Sequence, residues 1–328
     1  MMLVLLRSAK IANVTNDIIQ AKCDKMIKIA IVSYPDSLQS AVFGLAEMFH
    51  LANRNDPPAP FQCDIVTEDV PSRAYNIVIL PPNLGSEYTE QASDSLNTWL
   101  CDQKQQGAIL CAACAGCFIL GQSIDLTGRR VTTHWALADK FRTAFPKTEL
   151  DSDKILINDG DLITAGGLMA WVDLGLELIA QFSSPTIMRK VGKTMVVDTA
   201  RREQRFYKRF SPRRDHGDQA ILNLQNHLEE HYHQPMTVSK MADFCGLEPR
   251  SFLRHFTKCC QLTPKLYQQQ LRIQKACDLL EGTPQTIDQI SYHVGYEDIS
   301  AFRRTFIKVM GLTPRDFKNR FGEASFAV

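Results

Sequence analysis

The C-terminal part of this chain contains one sequence pattern twice. Residues 246–264 read GLEPRSFLRHFTKCCQLTP, and residues 295–314 read GYEDISAFRRTFIKVMGLTP. Each copy begins with a glycine, continues with Phe, Arg, Phe and Lys at helical spacing, and ends in Leu-Thr-Pro. Glycine is suited to the end of a helix because it adopts a left-handed conformation without strain. The repeat therefore predicts two helix-turn-helix units, each with a supporting helix before the glycine and a recognition helix after it.

The residues before each glycine also fit a supporting helix. In the first copy four residues share one helical face: Val238, Met241, Ala242 and Cys245. In the second copy Thr286 and Gln289 form a capping-box pattern. Between the copies, residues 266–280 predict one long helix. Such a stiff connector would hold two recognition helices near the ~34 Å spacing of successive major-groove faces.

Each recognition helix has an apolar side and a polar side. The side chains expected inside are Phe252, Leu253, Phe256, Phe302 and Phe306. The major groove admits a helix, arginine can donate two hydrogen bonds to guanine, and lysine more often contacts phosphate. We therefore predict DNA contacts from the polar side: Arg250, Ser251, Arg254, His255, Lys258, Glu297, Asp298, Ser300, Arg303, Arg304 and Lys308.

Residues 238–321 resemble the AraC-type DNA-binding domain. The matching positions are Leu271-Arg272, Ala276, Leu279-Leu280, Ile290, Val294-Gly295-Tyr296, Phe302, Phe306 and Gly311-Leu312-Thr313-Pro314. Three residues depart from the usual pattern, namely Glu248 at a cap, Gln261 before Leu-Thr-Pro, and Ser291 in place of alanine. The resemblance implies double-stranded DNA as a partner, and the alternative is a helical interaction domain without DNA.

The N-terminal part alternates short apolar runs with helical patterns. The predicted strands are residues 27–33, 63–66, 77–80, 108–112 and 162–164. The predicted helices between them are residues 41–52, 88–104 and 168–182. Continuous Ile- and Val-rich runs are typical of buried parallel strands. The pattern predicts a doubly wound, flavodoxin-like α/β domain followed by an all-α domain.

A small-residue turn follows the fourth predicted strand, at Ala113-Cys114-Ala115-Gly116. A nucleophile elbow has this strand-turn-helix form, and the helix N-terminus would lower the pKa of a thiol there. His134 is a candidate partner for Cys114. The spacing of Cys111, Cys114 and Cys117 leaves metal binding as an alternative. We predict no metal, because a tetrahedral site needs a fourth ligand and burial in the core accounts for Cys111 and Cys117.

The same region resembles the PfpI-like, class I amidotransferase-like superfamily. The markers are Leu80-Pro81, the cysteine elbow, Thr132-Thr133-His134-Trp135, and Thr164-Ala165-Gly166-Gly167 leading to Asp173-Leu174. Joined to an AraC-type domain, this arrangement resembles the GlxA-like AraC regulators over nearly the whole chain after residue 25. The resemblance implies a ligand-sensing domain that controls a DNA-binding domain.

Two departures argue against catalysis. Enzymatic members of the superfamily have an acidic residue early in the first helix, where this chain has Gln39 and no carboxylate before Glu47. Pro82 stands where an oxyanion hole often needs a backbone N–H, and proline has none. We therefore predict a non-enzymatic ligand pocket without a cofactor. Its candidate residues are Asn83, Cys114, His134, Trp135 and Trp171, with the backbone near Gly166.

The nature of the ligand is less constrained. Tryptophan rings can hold a cation, and the resemblance implies an amino acid or a quaternary amine. Core packing of Trp135 and Trp171 is the alternative. Two other functions stay open: a cysteine-dependent hydrolase or amidase, and a thiol redox sensor, each joined to a DNA-binding domain.

Composition and charge set the domain limits. The 328-residue chain is 45% apolar and 22% charged with a net charge of +1. Its ten cysteines form no short framework, so we expect reduced thiols and a cytoplasmic protein. No apolar run reaches the roughly 18–20 residues of a membrane span, so we expect no membrane partner. For a ligand-responsive regulator we also expect a homodimer. Basic residues are concentrated in residues 188–216. We predict a loosely ordered extension over residues 1–25, a sensing domain over 26–187, a basic linker over 188–216 with the boundary near 210–216, and the DNA-binding domain over 217–328.

Overall fold

The computed structural model describes residues 26–56, 60–67, 69–85, 89, 91–200 and 203–322. The chain divides into two compact units between Gln204 and Arg205. The extension predicted for residues 1–25 lies outside the described residues. No helix in the described ranges is long and apolar enough to cross a membrane.

The first unit is built on a six-stranded sheet. The main strands are β1 (Ile27–Val32), β2 (Phe61–Val66), β3 (Ile77–Leu80), β4 (Ile109–Ala113), β7 (Leu156–Asn158) and β8 (Leu162–Ala165). Their order is β2-β1-β3-β4-β8-β7, with β7 antiparallel to β8 and the other pairs parallel. Two short strands, β5 (Arg130–Val131) and β6 (Glu149–Leu150), pair separately.

Helices cover both faces of this sheet. They are α1 (Gln39–Asn55), α2 (Asp94–Gln105), α3 (Gly116–Ser123), α4 (Ala138–Ala144), α5 (Trp171–Phe182) and α6 (Pro185–Met195). Side chains alternate along each strand. Ile29 and Ile31 therefore pack with α1, α5 and α6, whereas Ala30 and Val32 pack with α2 and α3. The predicted doubly wound α/β fold is confirmed.

The end of the first unit differs from the prediction. Residues 188–195, expected in the basic linker, belong to α6, whose Ile187 and Val191 are buried in the core. The division between the units at Gln204 and Arg205 also lies before the expected boundary near 210–216. Charge density misled the prediction because the basic residues of α6 occupy its solvent side, while its apolar residues follow helical spacing.

Residues 205–322, the described part of the second unit, are helical outside the connections between helices. Its helices are α7 (Gln219–Glu230), α8 (Val238–Phe244), α9 (Pro249–Cys260), α10 (Pro264–Gly282), α11 (Ile287–His293), α12 (Ile299–Met310) and α13 (Pro314–Phe321). The pairs α8–α9 and α11–α12 are the two predicted helix-turn-helix units. Gly246 and Gly295 have φ of +66° and +83°, as the repeat predicted. The capping box of Thr286 and Gln289 is also present.

The long helix α10 belongs to two hydrophobic cores. Tyr267 and Leu271 pack with the first helix-turn-helix unit, and Ala276 and Leu280 pack with the second. The prediction of one long connecting helix is therefore confirmed. The prediction for Leu253 is wrong, because this side chain is 40% exposed. It lies next to the buried stripe of α9, roughly 100° further around the helix.

Ser291 provides a test of packing in the second core. Its side chain is buried, and its hydroxyl has no hydrogen-bond partner among the described residues. The equivalent position in the first copy is Ala242, which is also buried. We expect Ser291→Ala to raise the free energy of unfolding by about 1 kcal/mol, because it removes an unpaired buried hydroxyl. Urea denaturation measures the change, with the exposed Ser239→Ala as the control. Destabilisation by Ser291→Ala would contradict this reading.

Candidate functional site

Cys114 lies at a sharp turn between β4 and α3. Its φ is +55°, and its backbone N–H donates to the Ala165 carbonyl at 2.7 Å. The following helix approaches β3 so closely that a Cβ on Gly116 would lie 2.7 Å from the Pro81 carbonyl oxygen. Only glycine fits this approach without a shift of the backbone. The predicted strand-turn-helix elbow is therefore present.

The prediction that the helix lowers the thiol pKa is wrong. Burial raises the pKa of Cys114 to about 11, although hydrogen bonds from the backbone N–H groups of Ala115 and Gly167 favour the thiolate. The side chain is only 4% exposed, so desolvation of the charged form exceeds the effect of these donors. At neutral pH the sulfur is therefore a neutral thiol.

His134 does not compensate for this burial. It caps a short 3₁₀ helix, Trp135–Leu137, and its Nδ1 accepts from the Ala136 backbone N–H at 3.1 Å. Burial lowers the pKa of His134, which favours neutral imidazole. No hydrogen bond joins His134 to Cys114 within the described ranges. The two residues do not form the thiolate–imidazolium pair that activates a cysteine nucleophile.

Two threonines hold the segment around His134 against the elbow. Thr133 Oγ1 donates to the Cys114 carbonyl at 2.7 Å. The Thr132 backbone N–H donates to Thr164 Oγ1 at 2.8 Å, and Cys117 Sγ donates to the Thr132 carbonyl at 3.2 Å. The sequence analysis used these threonines as family markers only. Their positioning role depends on partners distant in sequence, so no local signal revealed it.

The first helix supplies an amide in place of an acid. Gln39 Nε2 donates to the Ser37 carbonyl at 3.0 Å and approaches Ser33 Oγ at 3.4 Å. Glu47 is exposed further along α1. Asn83 is buried, and its Nδ2 donates to the Pro35 carbonyl at 2.9 Å, whereas its Oδ1 has no partner among the described residues. Asn83 therefore retains one acceptor.

The two candidate tryptophans have different surroundings. Trp171 is 6% exposed within the core shared by α1 and α5, and a Cβ on Gly44 would lie 2.5 Å from its ring. Its indole N–H has no partner among the described residues. Trp135 is only partly buried, and its ring centroid lies 5.3 Å from that of His134. Core packing thus accounts for Trp171, while Trp135 keeps an accessible surface.

The three cysteines at positions 111, 114 and 117 lie in different surroundings. Cys111 and Cys117 pack in the cores on opposite faces of the sheet. Where the chain is described, no group of three or more His, Cys, Asp or Glu side chains can hold a metal ion. The side chains of Cys111 and Cys117 therefore point away from each other.

A separate cleft of about 550 Å³ lies at the carboxyl ends of β1 and β2. Its lining residues are Ser33, Tyr34, Pro35, Asp36, Gln39, Thr67 and Asp69. The carboxylates of Asp36 and Asp69 give the cleft an acidic lining. Asp36 has φ of +59°, and its carboxylate is packed against Gly85. The sequence analysis missed this cleft because neither aspartate belongs to a recognisable motif.

The predicted DNA-contacting residues lie on the two recognition helices or immediately before α12. All of them are exposed except Ser251 and His255, which are partly buried. His255 Nδ1 lies 3.4 Å from Asp218 Oδ2. Glu248 makes no side-chain cap on α9, as its departure from the usual pattern suggested.

The two helix-turn-helix units differ in how their charges are paired. In the second helix-turn-helix unit, Arg303 Nη2 lies 3.3 Å from Asp288 Oδ1, and Arg304 Nη2 lies 3.6 Å from Asp298 Oδ2. Asp298 is also the N-cap of α12, where its carboxylate accepts from two backbone N–H groups. In the first helix-turn-helix unit, three cations have no ion pair among the described residues: Arg250, Arg254 and Lys258. The first recognition helix therefore presents the less compensated positive charge.

Family comparisons agree with this division. Residues 52–181 match the DJ-1/PfpI family, and residues 241–320 match a helix-turn-helix domain family. Together the matches cover more than half of the chain. The first unit is a DJ-1/PfpI-family domain, and the second is an AraC-type helix-turn-helix domain.

Curated relatives that align with about two thirds or more of this chain are named HTH-type transcriptional regulators. CdhR of Pseudomonas aeruginosa is 28% identical over 233 residues, which cover 68% of this chain and 66% of CdhR. ArgR of the same organism is 28% identical over 249 residues, covering 74% of each chain. GlxA of Rhizobium meliloti is 26% identical over 241 residues, covering 73% of this chain and 74% of GlxA. The chain thus spans slightly less than two thirds of CdhR.

Solved structures resemble each unit separately. Drosophila melanogaster DJ-1beta has a TM-score of 0.45 at 16% identity, covering 53% of this chain and 99% of its own. The DNA-binding domain of AdpA, solved with a target DNA, has a TM-score of 0.31 at 22% identity, covering 31% of this chain and 92% of its own.

The buried thiol predicts slow alkylation of Cys114. A pKa of about 11 instead of 9.0 lowers the thiolate fraction at pH 7 by about 100-fold. We expect the iodoacetamide rate at Cys114 to rise about tenfold per pH unit up to about pH 10. Peptide mapping by mass spectrometry measures it, with the partly exposed Cys101 as an internal control. A rate that levels off near neutral pH would show an activated thiolate.

Proposed function

We propose that this protein is a transcription regulator controlled by a small molecule. Its AraC-type unit binds double-stranded DNA, and its DJ-1/PfpI-family unit binds the effector without catalysis. The observation that carries the proposal is the combination in one chain of two exposed recognition helices and a cysteine elbow whose thiol is neutral. The named activity of the curated relatives supports the same assignment.

The arrangement of α10 supports a two-site reading of DNA. This helix contributes side chains to both hydrophobic cores, so the two helix-turn-helix units share a stiff element. We propose that α9 and α12 enter successive major-groove faces of one duplex. The predicted basic linker contributes less to DNA affinity than its charge implies. Arg209, Arg213 and Arg214 are each paired with a carboxylate of the second unit.

Sensing is favoured over thiol chemistry. A hydrolase and a redox sensor both need the thiolate form of the cysteine, and burial disfavours that form at Cys114. Gln39 cannot act as a general base, and Pro82 offers no backbone N–H. We therefore propose that the unit is not an enzyme.

Two features of the first unit support a cationic effector. Asp36 and Asp69 line the separate cleft at the ends of β1 and β2, and Trp135 has an accessible aromatic surface. Amino acids and quaternary amines carry the matching positive charge.

We also propose a cytoplasmic homodimer. The exposed apolar side chains Phe43, Leu84 and Met169 in the first unit support self-association.

Binding to DNA is tested with a duplex from the region upstream of the gene. We expect the full chain to prefer this duplex to random DNA at physiological salt. Arg254→Ala should weaken binding by about 1–3 kcal/mol if Arg254 reads a base. Arg304→Ala should cost less, because Arg304 is already paired with Asp298. Fluorescence anisotropy measures both, and Arg142→Ala on the first unit serves as the control. A chain without preference for the upstream duplex would contradict the proposal.

Effector binding is tested by thermal denaturation with amino acids and methylated amines. A ligand present at 100 times its Kd stabilises the folded state by about 2.7 kcal/mol. We expect Asp36→Asn to reduce the shift, because it removes a negative charge from the cleft. Asp125→Asn, which changes an exposed aspartate outside the cleft, should leave the shift unchanged. Equal shifts in both variants would exclude the acidic cleft as the effector site.

A further inference from the structure

A buried glutamine marks the end of the first unit. Gln204 is 2% exposed and is the last residue before the division between the units. Its Oε1 accepts from the Trp135 backbone N–H at 3.1 Å. Its Nε2 lies 2.8 Å from the Thr133 carbonyl and 2.9 Å from the Lys154 carbonyl. Because the amide is buried and bonded at both ends, it holds the segment around His134 in one position.

Gln204 also contacts the second wall of the elbow site. A Cβ on Gly166 would lie 1.8 Å from Gln204 Nε2, so the amide occupies space that only glycine leaves open. The next residue, Gly167, provides the backbone N–H that hydrogen-bonds the Cys114 sulfur. One side chain therefore touches both segments that flank Cys114.

The backbone of this segment is fixed as well. The Gln204 N–H donates to the Asp153 carbonyl at 2.8 Å. Glu203 and Lys154 form an antiparallel bridge, and their side chains form an ion pair at 2.7 Å. The chain thus leaves the first unit from a fixed position beside the elbow site.

The next residue is anchored in the second unit. The Arg205 side chain packs over Gly311, where an added Cβ would lie within 2.1 Å of Arg205 Nε. Gly311 has φ of +75° and ends α12, the second recognition helix. Consecutive Cα atoms are about 3.8 Å apart. Gln204, with its contacts in the first unit, and Arg205, with its contact in the second, are consecutive residues.

We propose that Gln204 is the positioning residue that couples the elbow site to the DNA-binding unit. A molecule that displaces the Thr133–Trp135 segment or the Gly166 loop changes the hydrogen bonds of Gln204 and, through the peptide bond, the position of Arg205. The coupling rests on the proposed function. Coupling between two sites is reciprocal. DNA bound to the second unit therefore changes the affinity of the elbow site for its ligand by the same factor as that ligand changes the affinity for DNA.

Another buried glutamine in the first unit provides a matched control. Gln103 is 1% exposed, its Oε1 accepts from the Tyr75 backbone N–H at 2.9 Å, and its Nε2 donates to the Arg73 carbonyl at 3.0 Å. It joins two segments far from the end of the unit. Gln103→Met and Gln204→Met therefore remove similar hydrogen bonds, but only the second acts at the connection.

The experiment is hydrogen exchange of the full chain with and without the upstream duplex. We expect saturating DNA to change the exchange rate of the Gly167 amide, which is bonded to Cys114 and not to Gln204, by about fivefold or more in the natural sequence, since allosteric coupling typically spans 5–150-fold. Gln204→Met should abolish this change while the duplex still binds. Gln103→Met should preserve it.

The outcomes separate this proposal from the proposed function. Failure of the natural chain to bind the duplex overturns both. Binding without a change at the Gly167 amide, or a change that persists in Gln204→Met, overturns the coupling alone. If Gln204→Met does not fold, Gly166→Ala replaces it, because the added Cβ would lie 1.8 Å from Gln204 Nε2 and 2.6 Å from the Thr133 carbonyl oxygen and so separates this pair. The same loss of the exchange change is expected, and its persistence overturns the coupling.

Discussion

The close approach of α3 to the end of β3 is the constraint on which the sensing unit depends. Gly116 contacts the Pro81 carbonyl, and Cys114 must adopt positive φ to complete the turn. This geometry buries the thiol and raises its pKa to about 11. It also directs the Cys114 carbonyl to the Thr133 hydroxyl. The same turn that presents a nucleophile in an enzyme therefore presents here a fixed, uncharged thiol beside the proposed effector site.

In the AraC-type unit, Arg272 connects the two helix-turn-helix units through hydrogen bonds. This half-buried side chain on α10 donates to the Tyr232 carbonyl at 2.8 Å and to the Gly295 carbonyl at 2.9 Å. Tyr232 lies before the first helix-turn-helix unit, and Gly295 forms the turn of the second. A Cβ on Gly295 would also collide with the His233 carbonyl. Hydrogen bonds to a charged group contribute about 1.5–3 kcal/mol each to stability. Arg272 therefore holds the two helix-turn-helix units in one orientation.

Local patterns predicted the architecture, and long-range contacts determined the rest. The repeat, the capping box and the apolar strands are visible in short windows of sequence, so both domains were predictable. The thiol pKa was not, because it depends on burial by elements far along the chain. Gln204 was missed for the same reason, since its contact with Thr133 spans 71 residues. Leu253 was misassigned because its neighbours on α9 are buried while it is not.

The energies involved suit a sensor better than a catalyst. A cysteine nucleophile must ionise, and burial opposes this at Cys114. Coupling between an effector site and a DNA site instead needs contacts that cost a moderate free energy to break. A typical allosteric coupling is roughly 1–3 kcal/mol. Breaking a buried hydrogen bond such as that from the Trp135 N–H to Gln204 costs a similar amount, about 1–3 kcal/mol, because water cannot replace it. The loss of one or two such bonds therefore has the magnitude that the proposed coupling requires.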